Sequence, residues 1–591
     1  MLNPIINNKR RKYDISGLWK FKVDKKNIGI QNNWQINLSD AVDIAVPGSW
    51  NEQLETEGLI YYTGTAWYSK KFFVSDDFRK NKIWIRIGSA DYYSKLWING
   101  NLVGENLGGF LPIDFEITDY VEIGTYNSLA LLVNNELNSD TIPQGISQKE
   151  YEEEGRLREE TYPGARFDFS PYGGIHRPVY IYTTPNQYIK DVTINTTIHS
   201  SVDGKVSVNL EFEKEKADKV ILNISGGNEV IVRECSLDDS ILETEFLLKE
   251  CKFWSTKTPY LYELKVMLLQ QEDIVDEYSI RFGVREIRVE GNKLLLNNEP
   301  VFLKGFGKHE DFPIIGKALN LPVLVKDFSL MKWINANSFR TSHYPYAEEW
   351  LDYADENGFL VIDEVPAISL DFRKVTEKTL ANHKEFLKKL IARDKNHPSV
   401  IMWAAGNEPN IVGEKSYYQG YGDRYWAEIF NYTKSLDPTR PITVPNCQKG
   451  GTNDPVLKYS DVISLNRYYG WYENPGKLDE AIERLETEMD FIADKYKKPI
   501  IITEFGADTM PGFHSISDQM FTEEYQSNLI KRYCELIESK EYTIGEHVWN
   551  FADFKTPQHV KRVVLNLKGV FTRNRDPKLA AFTLKDIWSK K

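Results

Sequence analysis

Residues 400–410 read V-I-M-W-A-A-G-N-E-P-N. The first half is a continuous apolar run with a β-branched start, the pattern of a strand covered on both faces, and Gly406-Asn407-Glu408-Pro409 carries the chain out into a loop. A carboxylate, Glu408, is therefore expected at the carboxyl end of a buried strand. Residues 499–504, P-I-I-I-T-E, repeat this grammar and deliver Glu504 in the same way. A lone glutamate usually caps a helix or pairs with a surface lysine. Two in matched context point to one shared mouth, because the carboxyl ends of the strands of a parallel barrel line its site.

Outward from this stretch, the chain after Arg288 alternates strand and helix patterns. Eight buried-strand candidates follow in order: V-F-L-K-G-F-G near Phe302, N-S-F-R-T at Phe339, L-V-I-D-E at Val361, the opening stretch at Met402, I-T-V at Thr443, V-I-S-L-N at Ser464, I-I-I-T-E-F at Ile502 and I-G-E-H-V-W-N-F at Val548. Between them lie helical periods with clear ends. Residues 346–357 place Trp350, Leu351 and Ala354 on one face and stop at Gly358; Phe386, Leu387, Leu390 and Ile391 form a stripe that stops at Pro398; Asp576-Pro577 reads as the cap and first position of a last helix. This rhythm predicts a (β/α)₈ barrel over residues 286–591.

The preceding chain has a different grammar. Residues 1–184 hold short alternating or aromatic runs, among them T-A-W-Y-S-K-K-F-F-V and S-K-L-W-I-N-G-N-L-V-G, with Asn99-Gly100 reading as a tight hairpin turn, so a β-sandwich is expected. Within it, residues 138–172 form a long polar and aromatic loop carrying Arg166, Asp168 and Tyr172, and loops of that length in compact domains are often functional. Residues 185–285 continue with some seven short strands, the size of an immunoglobulin-like sandwich, with Trp254 and Pro259 between two of them. A chain of 591 residues fits roughly three domains.

Composition narrows the function. A net charge of −13 argues against nucleic acid and acidic membrane surfaces as partners. No run of about twenty apolar residues occurs and the basic start lacks a signal-type apolar core, so a cytoplasmic protein is expected. Cys235, Cys251, Cys447 and Cys534 follow no metal-ligand spacing and read as free thiols; the histidines form no H-E-x-x-H cluster, and no metal or cofactor is expected.

The strand ends supply Asn407 and Glu408, Asn466 with Tyr468 and Tyr472, Glu504, and Trp549. Two glutamates among amides and aromatics, without a metal or a nucleotide loop, are the equipment of glycoside hydrolysis: one carboxyl protonates the leaving oxygen while the other attacks the anomeric carbon. Asp363 and Glu364 read either as orienters of an arginine such as Arg340 or as helix caps.

At this point the sequence resembles a known family. N-S-F-R-T-S-H-Y-P-Y at 337–346 and D-K-N-H-P-S-V-I-M-W-A-A-G-N-E at 394–408 resemble the two signature motifs of glycoside hydrolase family 2, and the order of jelly-roll sandwich, immunoglobulin-like sandwich and barrel matches over the whole chain. The resemblance implies a retaining mechanism with Glu408 as general acid/base and Glu504 as nucleophile, and places His343 and Asn407 near the scissile bond. L-N-R-Y-Y-G-W-Y at 465–472, V-W-N-F-A-D-F at 548–554 and N-L-K-G-V-F-T-R at 566–573 look like the β-glucuronidases of that family. On this likeness Asn566 and Lys568 of the N-x-K motif bind a sugar carboxylate, Asp168 reaches the sugar from the jelly roll, and Arg562 joins the substrate-binding set.

The substrate expected is a small-molecule or oligosaccharide glucuronide, and the resemblance implies a homo-oligomer, dimer or tetramer. Only about twenty residues separate Glu364 from the next helix, so the long loop with which some relatives cover small aglycones is absent, and an insertion with Tyr417, Tyr418 and Tyr421 is a partial substitute. The sequence ends soon after the last expected helix, so no accessory C-terminal domain is expected. A β-galacturonidase differs from this reading at one hydroxyl. A neutral-sugar enzyme of the family and a non-catalytic carbohydrate-binding protein on the same scaffold also stay open.

Overall fold

The computed structural model describes residues 2–145, 161–226, 230–409 and 421–589. Its first part is a β-sandwich. A six-stranded sheet, running Val42–Val46, Gly17–Val23, Thr65–Val74, Thr125–Asn134, Tyr93–Ile98 and Asn101–Leu107, faces a four-stranded sheet of Lys12–Asp14, Val179–Thr184, Lys82–Ile87 and Ile113–Glu116. Alternate residues such as Trp19, Phe21, Ile83, Ile85, Leu129 and Leu131 fill the space between them. The expected hairpin is present: Asn99 and Gly100 take φ of 50° and 79°, the left-handed pair that a two-residue turn between twisted strands demands.

The second sandwich has seven described strands in sheets of three and four, from Tyr188–Ile198 to Asp273–Phe282. Two of them, Ile231–Ser236 and Ile241–Leu248, are mostly exposed and interrupt their apolar residues with Arg, Glu and Thr, which is why apolar runs alone do not reveal them. Trp254 leaves this sandwich and is fully buried against Leu303, Leu360, Ile362 and Ile501 at the amino end of the barrel, where its Nε1 donates to Asp355 O at 2.8 Å. Arg285 donates to Pro398 O and Val400 O nearby, so the sandwich is bolted to the barrel floor by polar contacts that also satisfy buried carbonyls.

The barrel strands are Leu303–Gly307, Ser338–Arg340, Leu360–Glu364, Val400–Ala404, Ile442–Thr443 with Asn446–Cys447, Ile463–Asn466, Ile500–Glu504 and Thr543–Val548, all paired in parallel. The fifth candidate is thus two short pieces. Ile442–Thr443 pairs with the fourth strand and Asn446–Cys447 with the sixth, which closes the ring across Val444-Pro445. Proline lacks the N–H a ladder needs, so the break falls where the strand changes partner. Both faces of the strands are buried: Ile501 packs in the barrel-floor cluster, whereas Ile500 and Ile502 join the large cluster with the helices. Continuous apolar runs follow from that double burial.

The helix at Glu348–Asn357 ends at Gly358 with φ 71° and buries Trp350, Leu351 and Ala354 as expected. Two helix starts differ from expectation. The helix with the Phe386 stripe spans Glu377–Asp394, begun by a Thr376–Thr379 capping box, so the lead-in after Glu364 is shorter than expected. The last helix is Leu579–Trp588 rather than one begun at Pro577, because buried Lys578 holds the preceding turn by donating to Asp553, Thr509 O and Leu567 O. Among the described residues no helix is long and apolar enough to cross a membrane, and all four cysteines are unpaired.

The first sandwich is a wall of the barrel mouth. Its Phe167 and Phe169 share the large barrel cluster, and its Glu52 is ion-paired with Lys555 and Arg573 of the last barrel loop, each at 3.0 Å.

Candidate active site

Arg340, the last residue of the second strand, is fully buried and organises the centre of the mouth. Its Nη2 donates to Glu504 Oε1 at 2.5 Å, and its Nη1 is ion-paired with Glu364 and reaches Asn407 Oδ1 at 3.4 Å. A buried guanidinium requires this much company, since its charge has no water to turn to. The other oxygen of Glu504 accepts from the Tyr468 hydroxyl at 2.7 Å. Glu408 receives Asn466 Nδ2 at 2.9 Å, the same amide lies 3.2 Å from Asn407 Oδ1, and Asn466 Oδ1 accepts from Thr503 at 2.7 Å. Glu408 and Glu504 thus meet through the side chains of strands two, four, six and seven.

Glu408 itself has φ of 45°, a left-handed conformation uncommon outside glycine, and its N–H donates to Pro445 O at 2.8 Å. Pro445 is the break in the fifth strand, so the irregularity that closes the barrel also supplies the acceptor that holds Glu408 in a costly conformation. His343 Nδ1 lies 2.7 Å from Glu364 Oε1 and its Nε2 lies 3.8 Å from Glu504 Oε1. Trp549 stacks on the His343 ring at 5.0 Å and 26°. Room for that indole comes from Gly307, where a Cβ would approach the Trp549 ring to 2.5 Å.

Burial, opposed by Arg340 and reinforced by the charge of Glu408, pushes the Glu504 carboxyl up to about 8; burial raises Glu408 as well, against the pull of Asn466. The charge of Glu408 is one reason Glu504 is raised, so the two carboxyls together favour a single negative charge. Burial favours a proton on each carboxyl, and the difference in donors distinguishes the two. A guanidinium and a phenol hydroxyl point at Glu504, whereas Glu408 receives one amide, so charge is favoured on Glu504 and the proton on Glu408. Burial pushes Glu364 up to about 7 despite Arg340, and burial with the Arg340 charge drives His343 well below its ordinary value, which keeps its ring neutral.

A second cluster lies beside the first. Lys568, 1% exposed, is ion-paired with Asp508 and donates to the Tyr472 hydroxyl at 2.9 Å. Arg562 Nη2 donates to the same hydroxyl at 2.8 Å and to Asp168 Oδ2 at 2.6 Å, and Asn566 Nδ2 donates to Asp168 Oδ2 at 2.7 Å. Tyr472 packs on Tyr468 with ring centroids 5.3 Å apart, which joins this cluster to Glu504.

The structure brings together all the residues expected from sequence: Glu408, Glu504, His343, Asn407, Asn466, Tyr468 and Trp549 in the first cluster, and Asp168, Tyr472, Arg562, Asn566 and Lys568 in the second. Tyr421 packs edge-on to Phe372 at 6.4 Å, whereas Tyr417 and Tyr418 lie outside the described residues. Arg340 and Glu364 are more central than their sequence context indicates, and no sequence pattern singles out Asp508. Its only signal is a position four residues past Glu504 on the segment leaving the same strand. The cluster of Asp352, Asp355 and His397, whose ligand atoms lie within 4.8 Å of one another, precedes strands three and four and so sits at the opposite end of the barrel. There His397 Nδ1 is paired with Asp355 at 2.6 Å, a structural ion pair.

Sequence models of glycosyl hydrolases family 2 match the chain in three consecutive parts: the sugar binding domain at residues 13–185, a family 2 domain at 178–285 and the TIM barrel domain at 287–591. A β-glucuronidase from Paenibacillus borealis is 39% identical over 610 residues, spanning 100% of this chain and 98% of that protein. The β-glucuronidase of Homo sapiens is 36% identical over 625 residues, spanning 100% and 92%. Among solved structures, the β-glucuronidase of Ruminococcus gnavus is similar with a TM-score of 0.92 at 36% identity, covering 100% of this chain and 98% of that one. Matched by this family over all three of its parts, and by relatives over its whole length, the chain belongs to glycosyl hydrolases family 2.

Proposed function

We propose that the protein hydrolyses β-D-glucuronides, with retention at the anomeric carbon, to glucuronic acid and an aglycone. The observation that carries this reading is the placement of Lys568, Arg562 and Asn566 beside Glu504 and Glu408. A glucuronide differs from a glucoside by a charge at C6, and a buried charge needs a cation and donors. Lys568 and Arg562 supply the cations, Asn566 and Tyr472 further polar contacts.

In the reaction, the Glu504 carboxylate, held by Arg340 and Tyr468, attacks the anomeric carbon while Glu408 gives its proton to the departing oxygen. The covalent glycosyl-enzyme is then opened by a water that Glu408, now a carboxylate, deprotonates. Glu364 holds the His343 ring through Nδ1, which leaves Nε2 facing the reacting centre. Trp549 behind that ring forms a floor for the sugar.

A panel of p-nitrophenyl glycosides tests the substrate. Turnover of the β-glucuronide far above the β-galacturonide, β-glucoside, β-galactoside and β-mannoside is expected, and preference for a neutral sugar would overturn the reading. Proton NMR of the first product anomer tests retention. The four unpaired cysteines support a cytoplasmic location. A dimer or tetramer rests on family resemblance and is read by light scattering.

A further inference from the structure

One carboxylate in the second cluster has no part in the reaction as written. Asp508 is 3% exposed and lies on the segment leaving the seventh strand. Its Oδ1 accepts from the Leu567 N–H at 3.0 Å and its Oδ2 is ion-paired with Lys568 Nζ, with Arg562 Nη1 3.6 Å from the same oxygen. Leu567 is the middle residue of N-x-K, so a single carboxylate grips both the backbone of that motif and its terminal ammonium. Burial would raise the Asp508 carboxyl, but Lys568 with Arg562 behind it overrides burial and holds it below the usual range, so the pair is ionic.

The ammonium of Lys568 has three N–H groups. Asp508 takes one and the Tyr472 hydroxyl another, and the rings of Tyr472, Trp471 and Tyr468 lie 4.8, 5.4 and 5.8 Å from the nitrogen. Aromatic faces attract a cation without fixing it to a point, whereas a charged hydrogen bond gives both distance and direction. The third N–H is left for a sugar carboxylate. The charges of Lys568 and Arg562 are balanced by Asp508 and Asp168, so this end of the mouth selects a uronate by aimed donors rather than by net positive field.

We propose that Asp508 is a positioning residue that determines uronate selectivity, by holding the Lys568 ammonium at the point where the sugar carboxylate is received. This rests on the glucuronide reading above. In the full-length enzyme, Asp508→Asn keeps an acceptor for the Leu567 N–H but removes the charge facing Lys568.

The expected result is a rise of about ten- to a hundredfold in KM for p-nitrophenyl glucuronide, with kcat changed less. The ratio of kcat/KM for glucuronide over glucoside should fall accordingly, and Asp508→Glu should recover part of it. A merely structural role would lower both substrates together, and an unchanged ratio overturns the proposal. Calorimetric titration with D-glucuronate reads the same contact without catalysis. Weaker binding by Asp508→Asn supports the proposal, whereas equal binding, or no binding by the parent enzyme, overturns it. A parent that binds glucuronate but turns over no glucuronide strikes only the hydrolase reading.

Discussion

Arg562 Nη2 lies 2.6 Å from Asp168 Oδ2, a contact between residues 394 positions apart that ties the last barrel loop to the first sandwich. Arg562 is nearly buried while the Asp168 side chain is 44% exposed, so water tempers the pair without dissolving it. Its importance lies in geometry: Asp168 holds the guanidinium that meets Tyr472, and Tyr472 meets Lys568.

Asp168 and Arg562 should therefore act as a unit. Asp168→Ala and Arg562→Ala are each expected to lower kcat/KM on a glucuronide by about ten- to a hundredfold, and the double variant to lose little more than the worse single. A double-mutant cycle on kcat/KM measures this. Additive losses would show that each touches the sugar independently.

Glu504→Gln should abolish turnover of every aryl glycoside, because an amide in its place is no nucleophile. Glu408→Gln should spare glycosylation for substrates with good leaving groups, which need no proton, and cripple it for poor ones. Burst kinetics with a series of aryl glucuronides separates these steps. Equal loss across the series would remove Glu408 from the acid role.

The proton on Glu408 and the charge on Glu504 set the pH profile. Burial raises the Glu408 carboxyl, so it keeps its proton toward neutral pH and loses it as pH rises further, and kcat/KM should fall on the alkaline side. Toward acid a second proton neutralises Glu504, and the rate should fall again. The alkaline limb should shrink for the best leaving groups when glycosylation is followed alone, and a limb independent of the leaving group would contradict this assignment.

Lys568→Ala leaves Asp508 and the sugar carboxylate facing each other without their cation. Breaking a buried pair costs about 3 to 5 kcal/mol, or about two to four powers of ten in kcat/KM on p-nitrophenyl glucuronide. The trace rate on the neutral glucoside should stay level or rise. If both fell together, Lys568 would be holding the loop rather than the substrate.

Stability should have its own pH dependence at the barrel floor. Burial opposes the charge on His397, but Asp355 wins and raises it to about 9. Its folded pKa is above the unfolded value, so the pair's contribution is full below about pH 6.5 and is lost as pH rises through about 9, amounting to about 3 kcal/mol at most. Urea unfolding of the parent and of His397→Gln at pH 6 and pH 9.5 checks this. The difference between them should be large at pH 6 and small at pH 9.5, and a constant difference would mean that the pair is not charged.

The sequence by itself determined the barrel, because strands buried on both faces must be apolar throughout and must surface their polar residues at the ends. It also determined Glu408 and Glu504 as a candidate pair, since a carboxylate directly after such a run has one place to go. Asp168 was legible only as a polar residue on an overlong loop, and Lys568 only through the N-x-K resemblance. Tertiary structure decided what each of these touches. The closure of the ring at Val444-Pro445, the left-handed Glu408 it supports, and the sharing of Arg340 between Glu364 and Glu504 depend on strands that are distant in the chain. Asp508 shows the reason most plainly. A carboxylate in a loop carries no periodic signal, and its meaning comes from the ammonium that folding places against it, sixty residues further along the chain.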